Sequence, residues 1–369
     1  MSTYCKIEDA MHPRRNVLAI ILRWVVGATF LFSGLAKGVD PVGTSIYVEK
    51  YLATYSLEAL MPISEALAVA LSVVEALLGV LLIMGTLRRI TTIISLVIVA
   101  IFTVVTLLSA TVLPIGECGC FGSIVMLTPW QTFFKNLVLL ALCFALLRGS
   151  RDVVRPTLRD GVVACVAIIV PLSINLYALR HLPLVDSMPY KVSTALYDAV
   201  AEERNAEESA VQNILIFRNL TTGEDVEFSA ADTACWEDAN LEFVEAATRT
   251  AEVESLYSDF RLYNADGEDC TLEILGREGR VALLCVNDIE DITNRHMRGV
   301  ASLKAQYPSC GIVVLTAVDI SDIEGVINTD DVEVFTIDAM TLRSVIRSDV
   351  GVVVLRDGVV EFKADIRDI

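Results

Sequence analysis

The sequence predicts a membrane α-helical bundle of about five transmembrane helices, followed by a soluble α/β domain. Three observations carry this. Five apolar runs, each near the ~20 residues that a spanning helix needs, fall within the first 180 residues. Charge divides sharply: residues 1–182 hold 14 Lys+Arg and 10 Asp+Glu, whereas residues 183–369 hold 15 and 37. The second half alternates short β-branched runs with amphipathic stretches, the pattern of an α/β domain. A domain this acidic repels nucleic acid and favours solubility.

In chain order, residues 1–16 are polar and read as a cytoplasmic N-terminus. The apolar run 17–36 is longer than the apolar part of a signal peptide, and no small-residue cleavage site follows it, so it reads as a span. The other runs are 62–84, 90–113, 130–147 and 161–179, the fourth including Lys135, close enough to its end to snorkel. Lys6, Arg14 and Arg15 precede the first span. Arg88 and Arg89 lie between the second and third, and Arg148, Arg151, Arg155 and Arg159 between the fourth and fifth. All fall on one side, which the positive-inside rule makes cytoplasmic. The bundle, 17–180, is then a multi-pass protein of the inner membrane. Segment 114–128 and everything after residue 180 lie on its extracytoplasmic side.

Residues 181–212 read as an exit segment and linker. Pro183 and Pro189 stop helices and stiffen an extended crossing. The stretch 199–212, rich in Glu and Ala, reads as a solvated linker or a surface helix. In the acidic domain, 213–369, strands are expected at 214–218, 225–228, 243–246, 260–263, 281–286, 312–316, 332–337, 352–355 and 359–362. Helices are expected near 271–275, 293–307, 320–327 and 339–346. Arg356-Asp357-Gly358 joins the last two strands as a tight hairpin. Parallel β-α-β followed by a closing hairpin has the order of a thioredoxin-like domain.

The stretch most ready for chemistry is Glu117-Cys118-Gly119-Cys120-Phe121-Gly122, a short polar segment between two apolar runs. Thiols one residue apart can bond to each other, and Gly119 would permit the torsions of so tight a ring. On the extracytoplasmic side such a pair can be oxidised. A cation favours the attacking thiolate, and Lys37 and Lys135 both come from outer helix ends. Glu65, also near an outer end, is an interfacial carboxylate. Arg23 and Glu75 lie at similar depths in their runs and are expected to pair within the bundle, either structurally or as a proton or quinone-head contact. Cys143, Cys165 and Cys285 read as core. Cys235, Cys270 and Cys310 sit near loops, with Trp236 as a packing residue. Tyr47, Tyr51 and Tyr55, with Trp130, read as an interfacial aromatic belt. Nine cysteines without a CxxC and three histidines give a zinc site little support. No metal, nucleotide or haem motif is evident, and quinone stands as the one cofactor in view.

Two stretches resemble known families. Phe30-Leu-Phe-Ser33-Gly34-Leu-Ala-Lys37 with Asp40-Pro41, Glu75, and Cys118-Gly-Cys120-Phe121-Gly122 are similar to the MauE/DoxX-type membrane proteins over about residues 15–180. The exit Leu182-Pro-Leu-Val-Asp186 with Pro189-Tyr190-Lys191 resembles a subgroup that carries an extra soluble domain. The resemblance implies a small helical bundle and, for the MauE branch, disulfide handling during maturation of an extracytoplasmic enzyme. Residues 259–364 resemble thioredoxin-like domains more loosely. Asn287-Asp288-Ile289-Glu290-Asp291 stands where the CxxC belongs, and Val350 where the cis-proline belongs. The implied domain is thioredoxin-shaped without thioredoxin chemistry.

Three functions remain open on the sequence. The first is a thiol–disulfide relay, in which Cys118 and Cys120 pass electrons between an extracytoplasmic thiol protein and the quinone pool or another membrane carrier. The second is a scaffold that anchors in the bilayer and docks a client. The third is a small-molecule carrier lined by Arg23 and Glu75. The small number of spans and the lack of an internal repeat weigh against it.

Overall fold

A computed structural model describes residues 3–112, 118–149, 157–183, 185–186, 188–230, 232–250, 256–287, 294–307, 310–320 and 332–369. Side chains 3–16 lie outside the description, as do Glu117, most of the segment that replaces the CxxC, and the helix expected at 320–327. The chain divides into two compact units, Met1–Met188 with Arg343–Gly351, and Pro189–Leu342 with Val352–Ile369.

The first unit contains α1 (Thr3–Val39), α2 (Pro41–Thr54), α3 (Ser64–Met84), α4 (Arg88–Thr111), α5 (Pro129–Gly149) and α6 (Leu158–Arg180). Five segments are long and apolar enough to cross a membrane: Val17–Val39, Glu58–Met84, Arg88–Thr111, Pro129–Arg148 and Leu158–Arg180. Their outer faces carry exposed Val17, Ile21, Val97, Ile101, Val138 and Ile169, as a lipid-facing surface requires. Inside, Val26, Phe30, Leu78, Leu82, Val99, Leu139, Cys143 and Leu146 form one apolar cluster.

Capping explains several ends. Asp40 accepts from Gly43 N at 2.7 Å and Pro41 follows it, so α2 starts immediately after α1. Gly85, at φ +70°, ends α3 in the left-handed conformation. Thr157 and Asp160 form a capping box at the start of α6.

The contact between α1 and α3 sets the geometry of the bundle. A Cβ on Gly34 would fall 2.6 Å from Ser72 O, and one on Gly27 2.9 Å from Gly79 O. The backbones touch, as small residues allow in membranes. Gly34 faces Ser72 and Ala76 while Gly27 faces Gly79 and Ile83, so the two helices run antiparallel.

Between α4 and α5, the Cys-Gly-Cys stretch forms a short antiparallel hairpin, β1 (Cys118–Ser123) with β2 (Val125–Leu127), pairing Cys118 with Leu127 and Phe121 with Val125.

The second unit holds α7 (Leu196–Ala210), a three-stranded antiparallel sheet of β3 (Val211–Asn219), β4 (Asp225–Ser229) and β5 (Leu241–Thr250), and a five-stranded sheet. The larger sheet is ordered β10-β9-β6-β7-β8, from β6 (Arg280–Val286), β7 (Gly311–Thr316), β8 (Glu333–Thr336), β9 (Val350–Arg356) and β10 (Val359–Asp365). Strands β6, β7 and β8 are parallel. Its helices are α8 (Thr271–Leu275), α9 (Asn294–Gln306) and α10 (Ala339–Val345). Central β6 is buried along nearly its whole length, as a strand covered on both faces must be. Asp357 and Gly358, with φ of 49° and 77°, make the β9–β10 turn.

Two expectations change here. Of the two readings of 199–212, linker or surface helix, the structure has the helix, α7, and it begins earlier than expected because Leu196 and Val200 are buried at 1% exposure each. The strand expected at 260–263 forms only isolated bridges through Tyr263. All eight described cysteines are free thiols, and Cys235 donates to Asp232 O. Trp236 stacks on Phe243 and meets Phe217 edge-on.

Candidate functional site

The site is built on the end of α1. Lys37 is 2% exposed and its Nζ donates to Glu75 Oε2 at 2.7 Å, Ser33 Oγ at 2.7 Å and the Cys120 carbonyl oxygen. Ser33 Oγ donates to the same carbonyl at 2.6 Å. A lysine has three protons to give, and all three of these are spent. The ammonium thus ties α1, α3 and the first strand of the hairpin at one point, and Glu75 neutralises it inside the bundle.

Asp40 fixes the other end of the hairpin. Besides capping α2, its carboxylate accepts from Ser123 Oγ at 3.1 Å and from Arg347 Nη2 at 3.1 Å. The Asp40–Arg347 pair is 1% exposed on each side. The middle of β1, at Cys120, and its far end, at Ser123, are therefore held by charged groups from the α1–α2 corner.

Beside the Lys37 anchor the sulfurs of Cys118 and Cys120 lie 3.1 Å apart. Tyr51 OH donates to Cys118 Sγ at 3.4 Å. Cys118 is buried at 3% exposure and Cys120 is more open. The Cys120 S–H donates to Cys118, which pulls the Cys118 thiol down to about 6 against the cost of burial, with Tyr51 assisting. The same hydrogen bond, with burial, holds Cys120 well above the ordinary thiol range, although Lys135 and Lys37 oppose this. Burial followed by the charge of Cys118 raises the Tyr51 phenol, so it stays protonated as a donor. The pair at neutral pH is one thiolate and one thiol.

This asymmetry gives a direct test. In reduced protein, thiolate absorbance near 240 nm should rise with a midpoint near pH 6. In Tyr51→Phe the midpoint should move up by about 1 pH unit, the worth of one hydrogen bond to a charged acceptor. A single midpoint near 9 in both proteins would contradict the hydrogen-bond arrangement.

Gly119 is needed for a reason other than the expected one. Its backbone torsions are ordinary, but a Cβ there would stand 2.7 Å from the Tyr47 ring. The left-handed residue is Gly122, φ +62°, packed over the Ala36 carbonyl. Tyr47 is buried, Tyr51 reaches the thiols, and Tyr55 OH lies 3.3 Å from Ser109 Oγ. These three tyrosines form the inner face of α2 rather than a belt. Their spacing of four was the available signal, since it places them on one helical face.

The Arg23–Glu75 pair does not form. Glu75 pairs with Lys37, and Arg23 lies against Gly85 with buried Nε and Nη1 lacking partners. Arg23 and Glu75 lie at similar depths in their own runs, but the two runs do not end flush. The glycine contact instead levels Arg23 with residue 85, ten residues and about 15 Å from Glu75. Glu65, read as an interfacial carboxylate, pairs with Arg343 at 3.0 Å. Lys135 places its ammonium 4.3 Å over the Phe121 ring.

A family model described as Methylamine utilisation protein MauE matches residues 15–149, which contain every group of this site except Arg347. No curated protein and no solved structure matches the chain.

Proposed function

We propose, from the premise that residues 15–149 are a MauE-type membrane domain, that this multi-pass protein is a thiol–disulfide exchange factor working through Cys118 and Cys120. The observation that carries the reading is a pair of thiols 3.1 Å apart, on a strand that Lys37 holds at Cys120 and Asp40 holds at Ser123. In the oxidised protein a client thiolate attacks Cys120, the more exposed of the two residues, and the S–S bond breaks. Cys118 leaves with the electron pair as a thiolate held by Tyr51. The client's second thiol then displaces Cys120 and carries off the disulfide, so the client loses two electrons and the pair gains them. The reverse sequence of steps would reduce a client.

In this reading the membrane is the inner one and the N-terminus is cytoplasmic. The thiol pair and the acidic domain face the periplasm, where clients become oxidised. The β10-β9-β6-β7 order is compatible with a thioredoxin-like sheet. The sequence offers no cysteine from 286 to 309, so that domain docks the client while the membrane pair reacts. A second reading rests on the same lack: a scaffold in which the Cys-Gly-Cys hairpin is purely structural.

The test is the state of the pair in cells, read by mass-tag alkylation before and after a reductant pulse. Cycling between reduced and oxidised forms is the expected result. A pair that stays in one state through the pulse would leave the scaffold.

A further inference from the structure

The family match ends at residue 149, yet the surroundings of the thiol pair are not complete within it. Segment Arg343–Gly351 belongs to the same compact unit as the membrane-spanning helices, although the chain on either side of it belongs to the other unit. It sets Arg347 against the α1–α2 corner. The side chains of Arg347 and Asp40 are each 1% exposed, and Arg347 Nη2 donates to Asp40 Oδ2 at 3.1 Å. Arg347 Nη1 donates to the Ser344 carbonyl oxygen at 2.9 Å and lies 3.2 Å from Asp186 Oδ1. A carboxylate buried as deeply as Asp40 needs a cation. Lys37, on the last turn of α1, cannot serve, because Glu75, Ser33 and the Cys120 carbonyl engage it fully. Among the described residues, Arg347 is the cation paired with Asp40.

Asp40 passes this anchoring on to the hairpin. Its Oδ2 also accepts from Ser123 Oγ at 3.1 Å, so one oxygen joins the guanidinium to the end of β1. Its Oδ1 takes Gly43 N at 2.7 Å, so the carboxylate cannot swing away without uncapping α2. Ser123 is 1% exposed and lies on the strand that carries both thiols. We infer that Arg347 is a positioning residue of the thiol pair: it fixes the Asp40 carboxylate, and through Ser123 the far end of β1, so that Cys118 and Cys120 keep the alignment that exchange requires. The inference rests on the thiol-exchange reading above and adds to it a residue from outside the matched segment. Exchange is a displacement at sulfur, and a misplacement of about 1 Å can slow such a step up to about a hundredfold. Arg343, from the same segment, supplies the comparison. It pairs with Glu49 at 2.8 Å and Glu65 at 3.0 Å and donates to Ser45, all on α2 and α3 rather than on the hairpin.

The experiment uses the full chain in lipid nanodiscs, oxidised and then mixed with dithiothreitol. Reduction of the pair is timed by mass tag, and the thiolate midpoint of the reduced protein is read by absorbance. Arg347→Ala should slow exchange about tenfold, the worth of one hydrogen bond to a charged group. Arg347→Lys, which keeps the charge without the fork, should recover part of the rate. Ser123→Ala leaves the buried ion pair in place, so it tests the same route without threatening the fold. It should slow exchange by a similar factor and raise the thiolate midpoint. Because the two groups act in series, Arg347→Ala in a Ser123→Ala background should add little further slowing. Arg343→Ala should stay within about twofold of wild type. A wild-type rate and midpoint in Ser123→Ala overturn the positioning role and leave the thiol reading standing. So does a wild-type rate in Arg347→Ala or, where that variant does not fold, in Arg347→Lys. Slowing in Arg343→Ala equal to that in Arg347→Ala would assign the effect to general stability and overturn the role as well. Failure of the wild type to exchange with dithiothreitol overturns the thiol reading itself, and this inference with it.

Discussion

A Cys118→Ser variant should accumulate a covalent adduct with its client through Cys120, whereas Cys120→Ser should accumulate at most a tenth as much. The two residues are unequal in exposure and in acidity. Cys118 is 3% exposed and its thiol sits near 6, about three pH units below the ordinary value of 9. A sulfur that acidic is the better leaving group. Tyr51 stays beside Cys118 when Cys120 is bonded to the client and stabilises the departing Cys118 thiolate, so attack at Cys120 is the faster of the two. In Cys118→Ser the lone Cys120 attacks a client disulfide, and the protein then has no thiol of its own beside Cys120 to resolve the adduct, whose release is left to the client's second thiol. The same substitution removes the hydrogen bond and charge that keep Cys120 protonated, so the remaining thiol becomes more reactive. Non-reducing gel shifts and mass spectrometry of the adduct read both variants. Equal trapping, or trapping mainly in Cys120→Ser, would reverse the assignment of the two roles.

The second large effect is on stability. Lys37→Met should destabilise the protein by about 3–5 kcal/mol, because it leaves the Glu75 carboxylate buried at 3% exposure without its cation. Glu75→Leu should cost a similar amount by stranding the ammonium. The double substitution should return to within about 2 kcal/mol of wild type, since an apolar pair can replace a buried ion pair with little net change. It should not restore thiol exchange, because the Cys120 carbonyl loses its Lys37 donor in either background. Unfolding in detergent, followed by circular dichroism, gives the energies, and the mass-tag assay gives exchange. If each single change cost under 1 kcal/mol, or if the two costs simply added in the double variant, the pair would not be the junction of the bundle.

The spans were legible because the bilayer imposes a length of apolar sequence that little else in a chain imitates. Strands β6, β7, β9 and β10 were legible for a similar reason, as short β-branched runs closed by a Gly turn. The thiol pair could be picked out by composition alone. Its surroundings could not, because they depend on stagger between helices. Lys37 is adjacent to Glu75 only through the Gly34 and Gly79 contacts, which the run boundaries do not reveal. The helix α2 was hidden because its 14 residues mix polar and aromatic side chains and span nothing. The separate three-stranded sheet also escaped, since strand spacing does not say which strands share a ladder.

The close crossing of α1 and α3 has a mechanical consequence. Gly27, Gly34 and Gly79 leave no gap into which an acyl chain could wedge, and no side chain there can rotate to let one helix slide past the other. In a bilayer thinner or thicker than the spans, the two helices must tilt together as one strut, carrying the thiol hairpin with them. Hydrophobic mismatch would then be absorbed by the helices outside this crossing. The depth of the sulfurs relative to the lipid surface should accordingly follow the tilt of a single rigid pair.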